Sequence, residues 1–194
     1  MIRWLSLVVF AGAAVVAHAE PASDDELGDM LAQKHLIERL DEVRAHMAGR
    51  VHEGATHVAH KASELVLNAM GFLGVPYRRG GNSAETGFDC SGFVRAMYQQ
   101  TVGLILPRRA NEQAAATEKI DRRELQPGDL VFFNTLKHAF SHVGIYVGDN
   151  KFIHSPKPGA QVRVEDMGIP YWSSRFDGAR RVLKAPAAEA GSGD

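Results

Sequence analysis

The chain has 194 residues, 22 of them basic and 23 acidic, and 45% are apolar. That length supports one domain with a proper core and is short for two. The net charge of −1 argues against a nucleic-acid partner, which calls for a strongly basic face. The single cysteine, Cys90, excludes an internal disulfide, so the core is expected to hold without one.

The first residues, Met1-Ile2-Arg3, precede an apolar run from Trp4 to about Ala17 and an Ala17-His18-Ala19 site. One positive charge, a short apolar stretch and small residues around a cleavage point predict a signal peptide over 1–19. Its removal takes Arg3 from the 22 basic residues and leaves 21 against 23 acidic ones. Residue 20 is Glu, not the cysteine a lipid anchor would need, so the expectation is an exported protein with no stable membrane anchor. Periplasm, cell envelope and release are all compatible with it.

Residues 20–55 form a helical extension. Leu27, Met30, Leu31, Leu36, Ile37, Leu40, Val43 and Met47 recur mostly at spacings of three and four, which predicts an amphipathic helix from Ser23-Asp24 to about Ala48-Gly49. Self-inhibition, targeting and pairing with another copy are all open roles for it. His35, His46, His52, His57 and His60 fall in and after this helix, but no cysteine or ordered carboxylate set completes a ligand pattern. Neither a metal nor any other cofactor is expected. A second helix, with Val58, Ala62, Leu65, Val66, Ala69, Met70 and Leu73 on one stripe, stops at Gly74-Val75-Pro76.

Cys90 lies where a turn-rich loop meets an apolar-periodic segment of Phe93, Val94, Met97 and Tyr98. This predicts a helix with a thiol in its first turn and Asp89 as N-cap. Unpaired backbone N–H groups and the helix dipole favour thiolate there, with pKa values of roughly 3.5 to 7.5 at such sites. Gly92 leaves room for a close approach to the sulfur. Tyr77, in the preceding loop, is a candidate to bring its hydroxyl beside Cys90.

After Leu125-Gln126-Pro127-Gly128-Asp129 the period changes, and Leu130–Phe133 is a short strand buried on both faces. Two β-prone runs flank Gly148-Asp149-Asn150, which predicts a hairpin. With the turn centred on Gly148, His142 and His154 sit directly opposite, their Cβ atoms about 4.5 to 5.5 Å apart. Val143, Ile145, Val147 and Ile153 then face the core. Residues 161–165 and 175–183 are expected as later strands, and 185–194 as a disordered tail.

A helix-borne cysteine, then a strand histidine, then a polar residue opposite that histidine suits a thiol hydrolase. His142 accepts the Cys90 proton, His154 orients His142, and the Cys90 N–H, with the Tyr77 hydroxyl, meets the oxyanion. Pro76-Tyr77 with Gly80-Gly81, the run Phe88-Asp89-Cys90-Ser91-Gly92-Phe93-Val94, and Leu106-Pro107-Arg108 with Gln113 resemble the NlpC-type cell-wall cysteine peptidases. So do residues 125–133, His142-Val143-Gly144-Ile145-Tyr146-Val147-Gly148, Phe152-Ile153-His154-Ser155 and Gly178-Ala179-Arg180-Arg181-Val182. The resemblance covers about residues 60–184. It implies a papain-like α+β domain over 56–184, with N-terminal helices, one bearing the cysteine, on a mostly antiparallel sheet. It also implies peptidoglycan as partner and hydrolysis of stem or crosslink peptides through Cys90, His142 and His154, with Tyr77 beside the nucleophile and Asp89 and Ser91 in substrate binding. A non-catalytic wall-binding scaffold and a related thiol amidase or acyltransferase are the competing readings.

Overall fold

The computed structural model describes residues 24–183. The expected signal peptide and the expected tail lie outside the described residues. The chain divides into two units, one ending at His46 and one from Met47 onward.

Helix α1 runs Asp24–Met70 without interruption, 47 residues in place of the two helices expected from the sequence. Gly49, the expected stop, lies inside it. A lone glycine costs a helix only about 1 kcal/mol against alanine, and no proline falls between Pro21 and Pro76. Thr56, a possible cap for a second helix, instead bonds back to the Glu53 carbonyl at 2.8 Å. Leu65 and Ala69 of the predicted second stripe are buried, whereas Leu40, Val43 and Met47 of the first are exposed.

The rest of the second unit comprises the β1 and β2 strands Asn82–Ser83 and Gly87–Phe88, α2 Cys90–Val102, α3 Ala110–Ala115, β3 Glu118–Ile120, β4 Leu130–Phe133, β5 His142–Gly148, β6 Lys151–His154, β7 Arg163–Asp166, the short α4 Pro170–Ser173 and β8 Phe176–Arg181. Six strands form an antiparallel sheet in the order β3-β8-β4-β5-β6-β7. The α+β, largely antiparallel arrangement is the one expected.

Each face of the sheet carries its own core. Leu130, Phe132, Val143, Ile145 and Ile153 pack with Leu65 and Ala69 of α1 and Phe93, Val94 and Met97 of α2. Val131, Phe133 and Phe152 pack with Met167 and Trp172 on the other face. All four β4 residues are buried because both faces are covered, as their unbroken apolar run predicts. The motif before β4 is a structural clamp. The Tyr98 hydroxyl, fully buried, donates to the Gly128 carbonyl, and Asp129 accepts from Arg181 at 2.7 and 3.0 Å and from the Gln126 N–H at 2.8 Å.

The hairpin keeps its predicted parity and loses its predicted register. Asp149 and Asn150 both take positive φ, which centres the turn after Asp149, and a bulge interrupts the pairing between Tyr146 and Gly148. Ile145 therefore pairs with Ile153, and the same ladder sets Gly144 against His154. His142 and His154 are diagonal, not opposite. Gly144 makes the diagonal usable, since a Cβ on it would lie 2.6 Å from the Phe152 ring and 3.1 Å from the His154 Cβ. The histidine face is also covered, with His142 and His154 buried beneath Trp172.

Candidate active site

Asp89 is the N-cap of α2 with extended backbone, and its Oδ1 accepts from the Gly92 N–H at 2.7 Å. Cys90 is thus the first helical residue, as the sequence predicts. The same carboxylate accepts from the Gly80 N–H at 3.0 Å and from both terminal nitrogens of Arg108, at 3.0 and 2.6 Å. Ser91 Oγ lies 3.4 Å from Asp89 Oδ1 and takes an Arg108 N–H at 3.0 Å. Asp89 and Ser91 therefore build the first turn and tie it to Arg108. Gln113, fully buried, donates to the Ser91 and Pro107 carbonyls at 3.0 and 2.9 Å and fixes that turn from behind.

Gly92 does not open space at the sulfur, as the sequence suggested. Its missing Cβ makes room for the Gly81 carbonyl, which would lie 2.1 Å from such an atom. Ser155 Oγ, buried, donates to the Phe88 carbonyl at 2.7 Å and joins the end of β6 to the loop that carries Cys90.

At the start of β5 the Val143 N–H reaches the Cys90 sulfur, which brings the thiol to the residue next to His142 in the chain. His142 Nε2 is 2.7 Å from His154 Nδ1. The Trp172 ring stacks on His142 at 5.5 Å between centroids and meets His154 edge-on at 5.1 Å. Tyr77 approaches from the preceding loop, its phenol pushed up by burial and then by the neighbouring Cys90 and Asp89. The structure therefore brings Tyr77, Asp89, Cys90, Ser91, His142 and His154 to one place.

The electrostatics reverse one expectation. Burial pushes the Cys90 thiol up to about 11, and the Asp89 carboxylate adds to it. Backbone N–H groups of Val143, Ser91 and Cys90 pull the other way and do not prevail. Burial, and then the neighbouring His154, holds His142 well below the usual histidine range. Each group on its own is thus held toward its neutral form, the thiol by burial and Asp89 and the imidazole by burial and His154. The helix terminus favours thiolate, but removing the sulfur from water costs more. Alkylation of Cys90 by iodoacetamide is accordingly expected to accelerate about tenfold per pH unit from pH 7 to pH 10. A rate already level across pH 6 to 8 would show a preformed thiolate and contradict this picture.

A sequence profile described as the NlpC/P60 family matches residues 74–181, more than half of the chain. The chain belongs to the NlpC/P60 family. It is 44% identical over 127 residues to murein DD-endopeptidase MepH of Escherichia coli K12, covering 63% of this chain and 47% of that protein. Against the gamma-DL-glutamyl hydrolase of Bacillus subtilis strain 168 it is 42% identical over 118 residues, covering 60% of this chain and 28% of the relative. The chain thus spans half or less of the length of these two relatives. Among solved structures, an NlpC/P60 family protein from Bacillus cereus ATCC 10987 superposes with a TM-score of 0.59 at 37% identity, over 63% of this chain and 40% of that one. The NlpC/P60 domain of the peptidoglycan hydrolase SagA gives 0.55 at 33% identity, over 62% and 98%.

Within this NlpC/P60 domain three further residues touch the site that the sequence did not single out by role. Arg108 and Gln113 were visible only as parts of a motif, because their partners are carbonyls and a carboxylate 6 to 22 positions away. Glu165 lies 2.9 Å from His154 Nε2. The available signal was strand alternation, with Val162 and Val164 apolar and Arg163 and Glu165 charged.

Proposed function

We propose that this chain is an exported cysteine endopeptidase of the cell envelope that hydrolyses peptide bonds in peptidoglycan stems or crosslinks, with Cys90 as nucleophile, His142 as base and His154 as its orienting partner. The observation that carries the reading is the buried 2.7 Å contact between His142 and His154 at the strand end where the Cys90 sulfur meets the Val143 N–H. The two relatives, by name a murein endopeptidase and a glutamyl hydrolase, support peptidoglycan peptides as the substrate class.

Beside His142 a groove of about 430 Å³ is walled by Thr135, Leu136, Arg163, Glu165, Tyr171 and Trp172. His142 takes the thiol proton as the sulfur attacks the scissile carbonyl, so charge appears only when substrate is in place. The carbonyl oxygen becomes an oxyanion met by the Cys90 N–H and the Tyr77 hydroxyl. His142 then protonates the departing amine, and the C–N bond breaks to leave a thioester on Cys90. Water, giving its proton to His142, attacks the thioester; the acid leaves and the thiol is restored. Asp89, paired with Arg108, and Ser91 border the substrate on the nucleophile's side.

The test is digestion of purified crosslinked peptidoglycan, with products read by mass. Shortened or uncrosslinked muropeptides are expected from the wild type and none from Cys90→Ala. Equal products from both, or none from either, would overturn the reading.

A further inference from the structure

The histidine pair has two ways to share its protons, and only one leaves a base facing the sulfur. In a neutral imidazole one nitrogen donates and the other accepts, and the partner of each decides which. Glu165 makes that decision at the far end of the pair. It sits on β7 opposite Phe152 of β6, which places it and Arg163 on the same face as His154.

The Glu165 carboxylate is held from three sides. Oε2 is 2.9 Å from His154 Nε2, Oε1 is 2.8 Å from Arg163 Nη2, and the Trp172 indole N–H donates to it as well. Burial works against its charge. The contacts with His154, Arg163 and Trp172 outweigh that and hold its carboxyl below the usual range, so it is ionised at neutral pH. The charged and titratable groups facing His154 are thus His142 from β5 and Glu165 and Arg163 from β7.

An ionised carboxylate accepts and has nothing to donate. The proton between Glu165 and His154 therefore belongs to His154 Nε2. His154 is fully buried and burial keeps it neutral, so that is its only ring proton and its Nδ1 is a bare acceptor. The 2.7 Å contact must then be donated by His142 Nε2. His142 is also buried and neutral, so its Nδ1 carries a lone pair. The reverse arrangement would aim the lone pair of His154 Nε2 at a negative oxygen 2.9 Å away. It would also place the His142 proton on Nδ1, where it could no longer accept one from the thiol.

We propose that Glu165 is a positioning residue that sets the tautomers of both His154 and His142, so that His142 Nδ1 is the nitrogen free to take the Cys90 proton. The assignment rests on the peptidase reading above for its use in catalysis. The tautomers themselves are independent of any substrate. Glu165 touches neither the sulfur nor the groups that meet the carbonyl; it acts through two rings in series.

The experiment is nitrogen NMR on the full chain labelled with ¹⁵N-histidine at pH 7.5, run beside hydrolysis kinetics, for wild type, Glu165→Ala and Glu165→Gln. Both His142 and His154 are expected to carry their proton on Nε2 in the wild type. In Glu165→Ala, His154 should become a mixture of tautomers, with kcat lowered at least about tenfold and KM within about twofold. Glu165→Gln, whose amide oxygen can still accept, should restore the Nε2 proton and most of the rate. A wild-type His154 protonated on Nδ1, or tautomers unchanged in Glu165→Ala whatever its kcat, would overturn the proposal. A wild type that shows these tautomers but hydrolyses no peptidoglycan would remove the peptidase reading and leave the tautomer assignment standing.

Discussion

His142→Ala is expected to lower the rate of acyl-enzyme formation at pH 7 by at least about 10³-fold. The loss is large because the thiol, at about 11, is almost wholly protonated there without a base. The pH dependence gives the sign. In the wild type the rate should be level through neutrality and fall only in acid, as pH drops through the depressed pKa of His142 and the base is lost. In His142→Ala the residual rate depends on thiolate formed by solvent, so it should climb with pH toward 11. The deficit therefore narrows in alkali. A variant whose deficit stayed constant from pH 7 to pH 10 would mean that His142 does not act by taking the thiol proton. His154→Ala should lose less at every pH, because it orients the base and leaves it in place.

Gly92→Ala is expected to destabilise the protein by about 3 kcal/mol and to lower Tm by roughly 10 °C. The added methyl would fall 2.1 Å from the Gly81 carbonyl and 3.0 Å from Asp89 Oδ1. The first of these neighbours is backbone and cannot rotate away. The Gly81 carbonyl also accepts the Asp89 N–H, so the clash strikes the segment that positions the cap of α2. Gly49→Ala is the matched control, for nothing lies within 4 Å of a Cβ there and the position is helical. It should not lower Tm. Thermal unfolding followed by circular dichroism checks both, and equal Tm values for Gly92→Ala and wild type would show that the Gly81 loop yields freely.

How much of this the sequence carried depends on whether the deciding interaction was local. The start of α2 was legible because Asp89 and the Phe93, Val94, Met97, Tyr98 stripe lie within one short stretch. The buried β4 strand was legible from four consecutive apolar residues. Hairpin parity survived because the displaced turn and the bulge between Tyr146 and Gly148 together shift the pairing by two residues, an even number. The register did not, because it hangs on the φ angles of Asp149 and Asn150 and on a bulge that no period announces. The length of α1 was not legible because Gly49 and Gly54 each cost only about 1 kcal/mol against alanine inside a helix, and nothing local shows that the helix carries both.

At the site, the sequence named Tyr77, Cys90, His142 and His154, and the fold gathers them. The state of the thiol was not legible, since the helix terminus appears in the sequence and the burial that outweighs it does not. Glu165 was missed for the same kind of reason, its contact with His154 being set by the pairing of β6 with β7 eleven positions away.

The central claim is that Cys90 carries the acyl group of a cleaved peptidoglycan peptide. The most direct measurement is acid quench of the full chain mixed with purified muropeptides, within the first turnover, followed by intact-protein mass and mapping of the modified residue. The account predicts a mass increase equal to one peptide fragment less water, located on Cys90, labile to hydroxylamine as a thioester is, and absent in Cys90→Ala. Hydrolysis proceeding with no adduct at Cys90, or undiminished in Cys90→Ala, would contradict it.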